Sequence, residues 1–210
     1  MWLIPSRERP HRLRQLISAC RNTKMSTSAA VLVDDDDPCL ESYLRLSMMP
    51  NWNIEIGRHG GLSEIYNQAF ARHRDAEWYG VLCDDAVPET DYFDLKLIEA
   101  AGPNGMAIPS GSDTTGPAPH FVLGGNLVRE TGWVSLPGLD RIYIDTVWYK
   151  IAKAKGVCRF LSDTVISHHH FSNGKAMMDK TYRKLHKIRD REIYTEWEEN
   201  TSHHNRRIYG

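Results

Sequence analysis

Asp84 and Asp85 stand side by side directly after the apolar run Trp78–Cys83. Neighbouring carboxylates at the end of a buried strand repel each other unless a cation lies close by. Hard oxygen ligands select Mg²⁺ or Mn²⁺, and Mg²⁺ is commonly held by one or two carboxylates together with substrate phosphates. An Asp-rich turn that caps the helix beginning near Pro88 and Asp91 is the alternative reading of the same pair. The run Ser167-His168-His169-His170-Phe171 is the second chemical signal. If it ends a strand, His168 and His170 share one face and His169 takes the other. An imidazole beside a carboxylate and phosphates suits Mn²⁺, whereas a polar strand end or a core histidine bonded to a carbonyl needs no ion.

A second acidic run, Asp34 to Asp37, follows the apolar stretch Ala29–Val33. It belongs to a different strand and is therefore expected to serve a different partner. A carboxylate there can accept hydrogen bonds from the N–H groups of a nucleobase or from ribose hydroxyls. Gly60-Gly61, ahead of a helical segment, offers close backbone approach and free N–H groups to an anion or a base. The sequence contains neither GxGxxG nor a Walker loop, which disfavours a simple nicotinamide or P-loop enzyme. Asp145, in Arg141-Ile142-Tyr143-Ile144-Asp145, opens a helix and reads either as an N-cap or as a general base. Lys175 reads as a phosphate contact or as a solvated side chain. Trp197 and Tyr209 read as base-stacking platforms or as packing.

Alternating elements must position these groups. Met1–Ile4 reads as a strand, and Pro10 opens a helix with Leu13, Leu16, Ile17 and Cys20 on one face. Ala29–Val33 is a strand, the segment from Leu40 to Pro50 a helix, and Asn53–Ile56 a short third strand. A helix with Leu62, Ile65, Tyr66, Ala69 and Phe70 on its inner face follows Gly61. The strand Trp78–Cys83, the helix Phe93–Ala101, and strands Met106–Pro109 and Phe121–Val128 come next. A helix from Asp145 to Lys155, strands Val157–Leu161 and Thr164–Ser167, and a polar helical tail from Met177 complete the chain. Alternation of this kind predicts an α/β sheet with parallel strands, whose ligands sit beyond the strands' carboxyl ends. Ser6-Arg7, Asp34–Asp37 and Asp84-Asp85 fall at such ends.

Composition sets the bounds. The chain has 210 residues, 41% hydrophobic and 25% charged, enough for one packed domain and too apolar for disorder. Net charge is −1, so global charge names no partner, although residues 1–24 carry six Arg or Lys against one Glu. Cys20, Cys39, Cys83 and Cys158 form no CxxC pair, which argues against a zinc knuckle and for a reducing compartment. The apolar start breaks at Pro5, too short for a signal peptide or a span. A cytoplasmic protein is expected.

In order along the chain, LIPSRERP, LVDDDDP, GGLSEIYNQAF, YGVLCDDAVP, FVLGGNLVRETGW, YIDTVWYKIAKAKG and SHHHF together resemble a GT-A glycosyltransferase of the inverting family-two type, over roughly Met1 to Lys184. The resemblance implies a single-domain Rossmann-like mixed sheet flanked by helices over residues 1–175, with a helical, polar C-terminal extension over 176–210 packed on or near the site. It implies a nucleoside-diphosphate sugar as donor, UDP first, and Mn²⁺ or Mg²⁺ as cofactor. Pro5, Ser6 and Arg7 would border the nucleotide, Asp34, Asp35 or Asp36 would read the base, and Gly61 and Asn67 would lie near base and ribose. Asp85, with Asp84, would stand for the family's DxD, and His168 or His170 would complete the metal site. Asp145 would deprotonate the acceptor hydroxyl. The first acid of the family's DxD is Cys83 here, and the usual Glu-Asp before the base is Ile144-Asp145. The segment HHHFSNGKAMMDKTY is similar to small phage enzymes that glycosylate hydroxymethylated pyrimidines, which implies DNA as an acceptor. Polysaccharide, lipid and protein acceptors, a sugar nucleotidyltransferase and a non-catalytic nucleic-acid-binding module are the competing readings.

Overall fold

The computed structural model describes residues 1–111, 116–169, 174 and 187–209. Eight strands form one mixed sheet in the order β3-β2-β1-β4-β7-β6-β8-β5. They are β1 (Trp2–Pro5), β2 (Ala29–Asp34), β3 (Trp52–Gly57), β4 (Trp78–Val81), β5 (Ala86–Pro88), β6 (Met106–Ser110), β7 (Phe121–Gly124) and β8 (Cys158–His168). Among the described residues the helices are α1 (Pro10–Asn22), α2 (Leu40–Leu44), α3 (Leu62–Arg72), α4 (Phe93–Ala101), α5 (Gly125–Thr131), α6 (Ile144–Ala154) and α7 (Lys187–Tyr209).

The central strands read as unbroken apolar runs because both their faces are covered. Leu3, Ala30 and Leu32 join the core layer under α3, α5 and α6, while Trp2, Ile4, Ala29, Val31 and Val33 join the layer under α1 and α4. Adjacent residues therefore point to opposite sides, and every side chain of β2 is buried. The α3 positions named from the helical period, Ile65, Tyr66, Ala69 and Phe70, are buried as expected.

Strands β3, β2, β1 and β4 are mutually parallel, so their carboxyl ends open on one edge. The rest of the sheet departs from the parallel expectation. Strand β7 runs antiparallel to β4 and β6, and β5 antiparallel to β8. The strand expected over Phe121–Val128 ends at Gly124. A Cβ on Gly125 would meet the Ala76 carbonyl oxygen at 2.3 Å, so only glycine fits this turn, and Leu127 and Val128 become the buried face of α5. The two late strands are one. The polar Ser162-Asp163 that looks like a break is a register shift, with Pro109 opposite Leu161 but Ser110 opposite Val165. Among the described residues, no helix is long and apolar enough to cross a membrane.

Candidate functional site

The carboxyl ends of β1, β2 and β4 carry Ser6-Arg7, Asp34–Asp37 and Cys83-Asp84-Asp85 to the same edge of the sheet. The imidazole comes from the far side of the sheet. Strand β5 begins directly after Asp85 and pairs with β8 so that Ala86 faces His168. The His169 N–H donates to the Asp85 carbonyl at 2.9 Å, which locks that register. Consequently His168 Nε2 lies 3.1 Å from Asp85 Oδ1. Cys83 Sγ, an Asp85 oxygen and a His168 ring nitrogen all lie within 4.8 Å of one another. Carboxylate and imidazole are both ligands for divalent ions, so the Asp85–His168 pair fits a metal, while a protonated thiol is not a ligand. Burial first, then the charges of Asp85, Asp84 and Asp145, raise the Cys83 thiol well above its usual value.

Asp84 plays a different part from Asp85. Its Oδ2 accepts the Ser6 hydroxyl at 2.7 Å and its Oδ1 accepts the Arg9 guanidinium at 3.2 Å. The Ser6 oxygen is also 2.8 Å from the Tyr43 hydroxyl, which itself accepts the Arg9 N–H at 2.8 Å. Ser6, Arg9 and Asp84 are all buried. Arg9 additionally lies 3.7 Å from Asp85 Oδ2, so one guanidinium balances both acids. Burial lifts the Asp84 carboxyl to about 6, against the pull of Arg9.

The acidic run after β2 is neutralised from within. Arg7 reaches Asp34 Oδ2 at 2.7 Å and Asp36 Oδ1 at 2.5 Å, and His59 Nδ1 is 2.9 Å from Asp34 Oδ2. The His59 N–H donates to Asp35 at 3.3 Å. Asp37 is buried and accepts the N–H groups of Glu8 and Cys39 at 2.9 and 2.7 Å. Pairing with Arg7 and with backbone amides therefore removes the repulsion that the four adjacent carboxylates suggested.

Gly61 caps α3 with φ 89°, and a Cβ there would strike Asp140 Oδ1 at 2.5 Å. At the start of α3 the Leu62 and Ser63 N–H groups donate to the Asp140 carbonyl at 2.9 and 3.3 Å. Asn67 is committed as well. It donates to the Ser135 carbonyl at 2.8 Å and accepts the Val134 and Ser135 amides, each at 3.0 Å. Asp145 is the second residue of α6, inside the N-cap position expected for it, since Tyr143 holds the cap position. Its Oδ1 accepts the Thr146 N–H at 2.7 Å, and burial raises its carboxyl above the ordinary range. His168 and Cys83 both lie within its electrostatic reach. Trp197 packs on the core layer beneath α6. His170, Lys175 and the Tyr209 side chain lie outside the described residues.

Sequence reasoning missed Arg9 and His120. Arg9 looked like one more charge in a basic segment. His120 sits alone before β7, yet it is buried, and its ring stands edge-on to His168 with centroids 5.1 Å apart. Its Nδ1 accepts from the Cys83 backbone nitrogen at 3.5 Å, while its buried Nε2 has no hydrogen-bond partner among the described residues. Burial, then the His168 charge, lower the imidazole to about 3. Since the unfolded chain binds that proton near the ordinary value of about 6.5, His120 contributes stability above that pH and loses it as pH falls toward 3. Asp84 acts in the opposite sense, its contribution being full below about 4 and lost as pH rises through about 6. Thermal melts from pH 7 to 4 should therefore show a steeper acid-side decline in the wild type than in His120→Gln.

No protein-family model matches the sequence, and no curated protein sequence matches it. The fold is shared with many solved structures. A mannosyltransferase from Pyrobaculum calidifontis, solved with GDP-Man and Mn²⁺, superposes with a TM-score of 0.64 at 13% identity, over 80% of this chain and 55% of its own. Glucosyl-3-phosphoglycerate synthase from Mycobacterium tuberculosis, solved with Mg²⁺ and UDP, gives 0.59 at 9% identity, over 80% of this chain and 70% of its own. A putative glucose-1-phosphate thymidylyltransferase from Bacillus anthracis gives 0.54 at 9% identity, over 87% of this chain and 98% of its own. The chain thus spans little more than half of the mannosyltransferase's length. At these identities the likeness is one of fold, the single-domain GT-A arrangement of a mixed sheet flanked by helices.

Proposed function

We propose that the chain is a metal-dependent inverting glycosyltransferase that moves a sugar from a nucleoside-diphosphate sugar to an acceptor hydroxyl. The observation that carries this reading is the 3.1 Å approach of His168 to Asp85 at the carboxyl-terminal edge of the sheet, with the His168 charge also felt by Asp145 on α6. Asp85 and His168 would hold a Mn²⁺ or Mg²⁺ ion, with the Cys83 sulfur close beside them. Bound there, the ion would neutralise the diphosphate leaving group. Asp145, whose buried carboxyl is a stronger base than an exposed one, takes the proton of the attacking hydroxyl. A single displacement at the anomeric carbon inverts its configuration. Arg9 and Ser6 keep Asp84 fixed beneath the site, and Arg9 shares its charge with Asp85. The Asp34–Asp36 cluster, with Arg7 and His59, is the base-reading end of this proposal, and uracil is its first candidate. Pro5, Gly61 and Asn67 complete the nucleotide-binding set of this proposal.

For the acceptor we put 5-hydroxymethylpyrimidine in DNA first, on the strength of the segment that follows His168 and of the basic first 24 residues. A thermal-shift panel of UDP-, GDP- and dTDP-sugars with Mn²⁺, repeated in chelator, tests the donor and metal together. A ligand at about 100 times its Kd stabilises the native state by roughly 2.7 kcal/mol, or about 5–10 °C for a chain of this size. We expect such a shift with a UDP-sugar and Mn²⁺, and its loss in chelator. Shifts that ignore chelator would overturn the metal role. Release of pyrophosphate from a nucleoside triphosphate and a sugar phosphate would point instead to a nucleotidyltransferase. DNA binding with no nucleotide-sugar shift at all would leave a binding module.

A further inference from the structure

The C-terminal helix reaches back to the segment that carries Asp145. Asp190, in the first turn of α7, is buried. Its carboxylate accepts three successive backbone N–H groups, from Asp140 at 2.6 Å, Arg141 at 2.9 Å and Ile142 at 2.8 Å. A carboxylate that gathers consecutive amides fixes the path of the backbone that supplies them, because charge-assisted bonds are stronger than neutral ones and lose strength steeply off-axis. The next residue, Tyr143, holds φ 71°, a left-handed value unusual for a side chain of its size. Its ring stacks on Tyr194 of α7, with centroids 4.6 Å apart and planes 9° from parallel. Helix α6 starts at Ile144, and Asp145 comes next.

The same turn is held from its other side. The Asp140 carbonyl accepts the Leu62 and Ser63 amides, and its side chain fills the space that a Cβ on Gly61 would need. Further along, Lys150 of α6 pairs with Glu198 of α7, and Gly138 packs against Ile193. The turn 140–142 is therefore clamped between the start of α3 and the start of α7, and its geometry sets where α6 begins.

We propose that Asp190 is a positioning residue for the reaction, holding the turn 140–142 so that Asp145 meets the acceptor at the correct distance. This rests on the reading of Asp145 as the base. It gives the C-terminal helix a part in the chemistry, although none of its described side chains joins the donor cluster of Cys83, Asp85 and His168. The strained Tyr143 backbone is sustained only while Asp190 and Tyr194 hold the two sides of the turn.

The test compares Asp190→Asn with Asp145→Asn in the full chain. It measures Mn²⁺-dependent release of UDP from UDP-glucose, with water as acceptor, and binding of UDP alone by calorimetry. An asparagine keeps the size but turns an N–H₂ group toward the amide donors. We expect UDP binding within about twofold of wild type and kcat about ten- to a hundredfold lower in Asp190→Asn, the range that small misplacements of a reacting group produce. The acid limb of its pH–rate profile, which reports Asp145, should shift, because the surroundings of Asp145 change with the turn. A lower melting temperature with unchanged kcat and an unmoved acid limb would make Asp190 a merely structural residue and overturn the proposal. Should Asp190→Asn fail to fold, Tyr194→Leu loosens the same turn without touching a buried charge, and unchanged kcat there overturns it equally. Full activity in Asp145→Asn would sink the base assignment and this inference together. Full activity in Asp190→Asn beside an inactive Asp145→Asn would sink the inference alone.

Discussion

Replacing Asp145 with Asn should lower the rate of sugar transfer by about a thousandfold while leaving donor affinity near wild type. A positioned general base is worth about 10²–10⁴ in rate, and an amide of the same shape cannot take the proton. Asp145 is placed for the task. It lies in the first turn of α6, partly buried, and its nearest bonds run to its own neighbour Thr146 rather than to a neutralising cation. Burial raises its carboxyl, so the pH at which it becomes competent moves up toward neutrality. The sign follows directly. The base must be ionised to act, so kcat should rise with pH through that raised value, and the acid limb should lie above the range of an exposed Asp. In Asp145→Asn that limb should vanish from the residual rate. Steady-state assays from pH 4.5 to 8, with donor binding measured separately, check both parts. An unchanged kcat would return Asp145 to a helix-start residue with no chemistry.

How much of this site could be read from the sequence depended on the range of the interaction. The ends of β1, β2 and β4 were legible because each joins an unbroken apolar run to a polar cluster, and parallel strands bring such ends to one edge. The contact between Asp85 and His168 was legible as chemistry but not as geometry. It depends on β5, a three-residue strand containing Pro88 that carries no periodic signal and exists because β8 is there to pair with it. The long β8 hid its own continuity, since a bulge over a polar pair looks like a chain break. Arg9 and Asp190 escaped notice for a shared reason. Each is a charged residue in a polar stretch, and only tertiary packing shows that one lies buried on two carboxylates and the other under three amides. The three described hydrogen bonds of Asn67 run to the turn Val134-Ser135, a structural part that its place in the sequence did not show.

Asp85→Asn should abolish the metal-dependent part of donor binding, the second large effect expected. Asp85 contributes the one carboxylate of the donor set, and its neighbour Asp84 cannot substitute, being buried and tied to Ser6 and Arg9. The amide retains one weak oxygen donor and removes the charge that attracts a hard divalent ion. The wild type should show a Mn²⁺-dependent thermal shift with UDP that chelator erases. Asp85→Asn should show, with Mn²⁺ present, only the small shift that wild type shows in chelator. His168→Ala should weaken the same response without erasing it, because an imidazole supplies a ligand but no charge. The fold is expected to survive Asp85→Asn. Removing that carboxylate leaves Arg9 its partner Asp84 at 3.2 Å, and the backbone bond from His169 to residue 85 uses the carbonyl, not the side chain. Equal thermal shifts with and without chelator in both proteins would mean that the cluster of Cys83, Asp85 and His168 does not hold the ion, and the acid–imidazole contact would then be an ordinary polar contact between the residue before β5 and the end of β8.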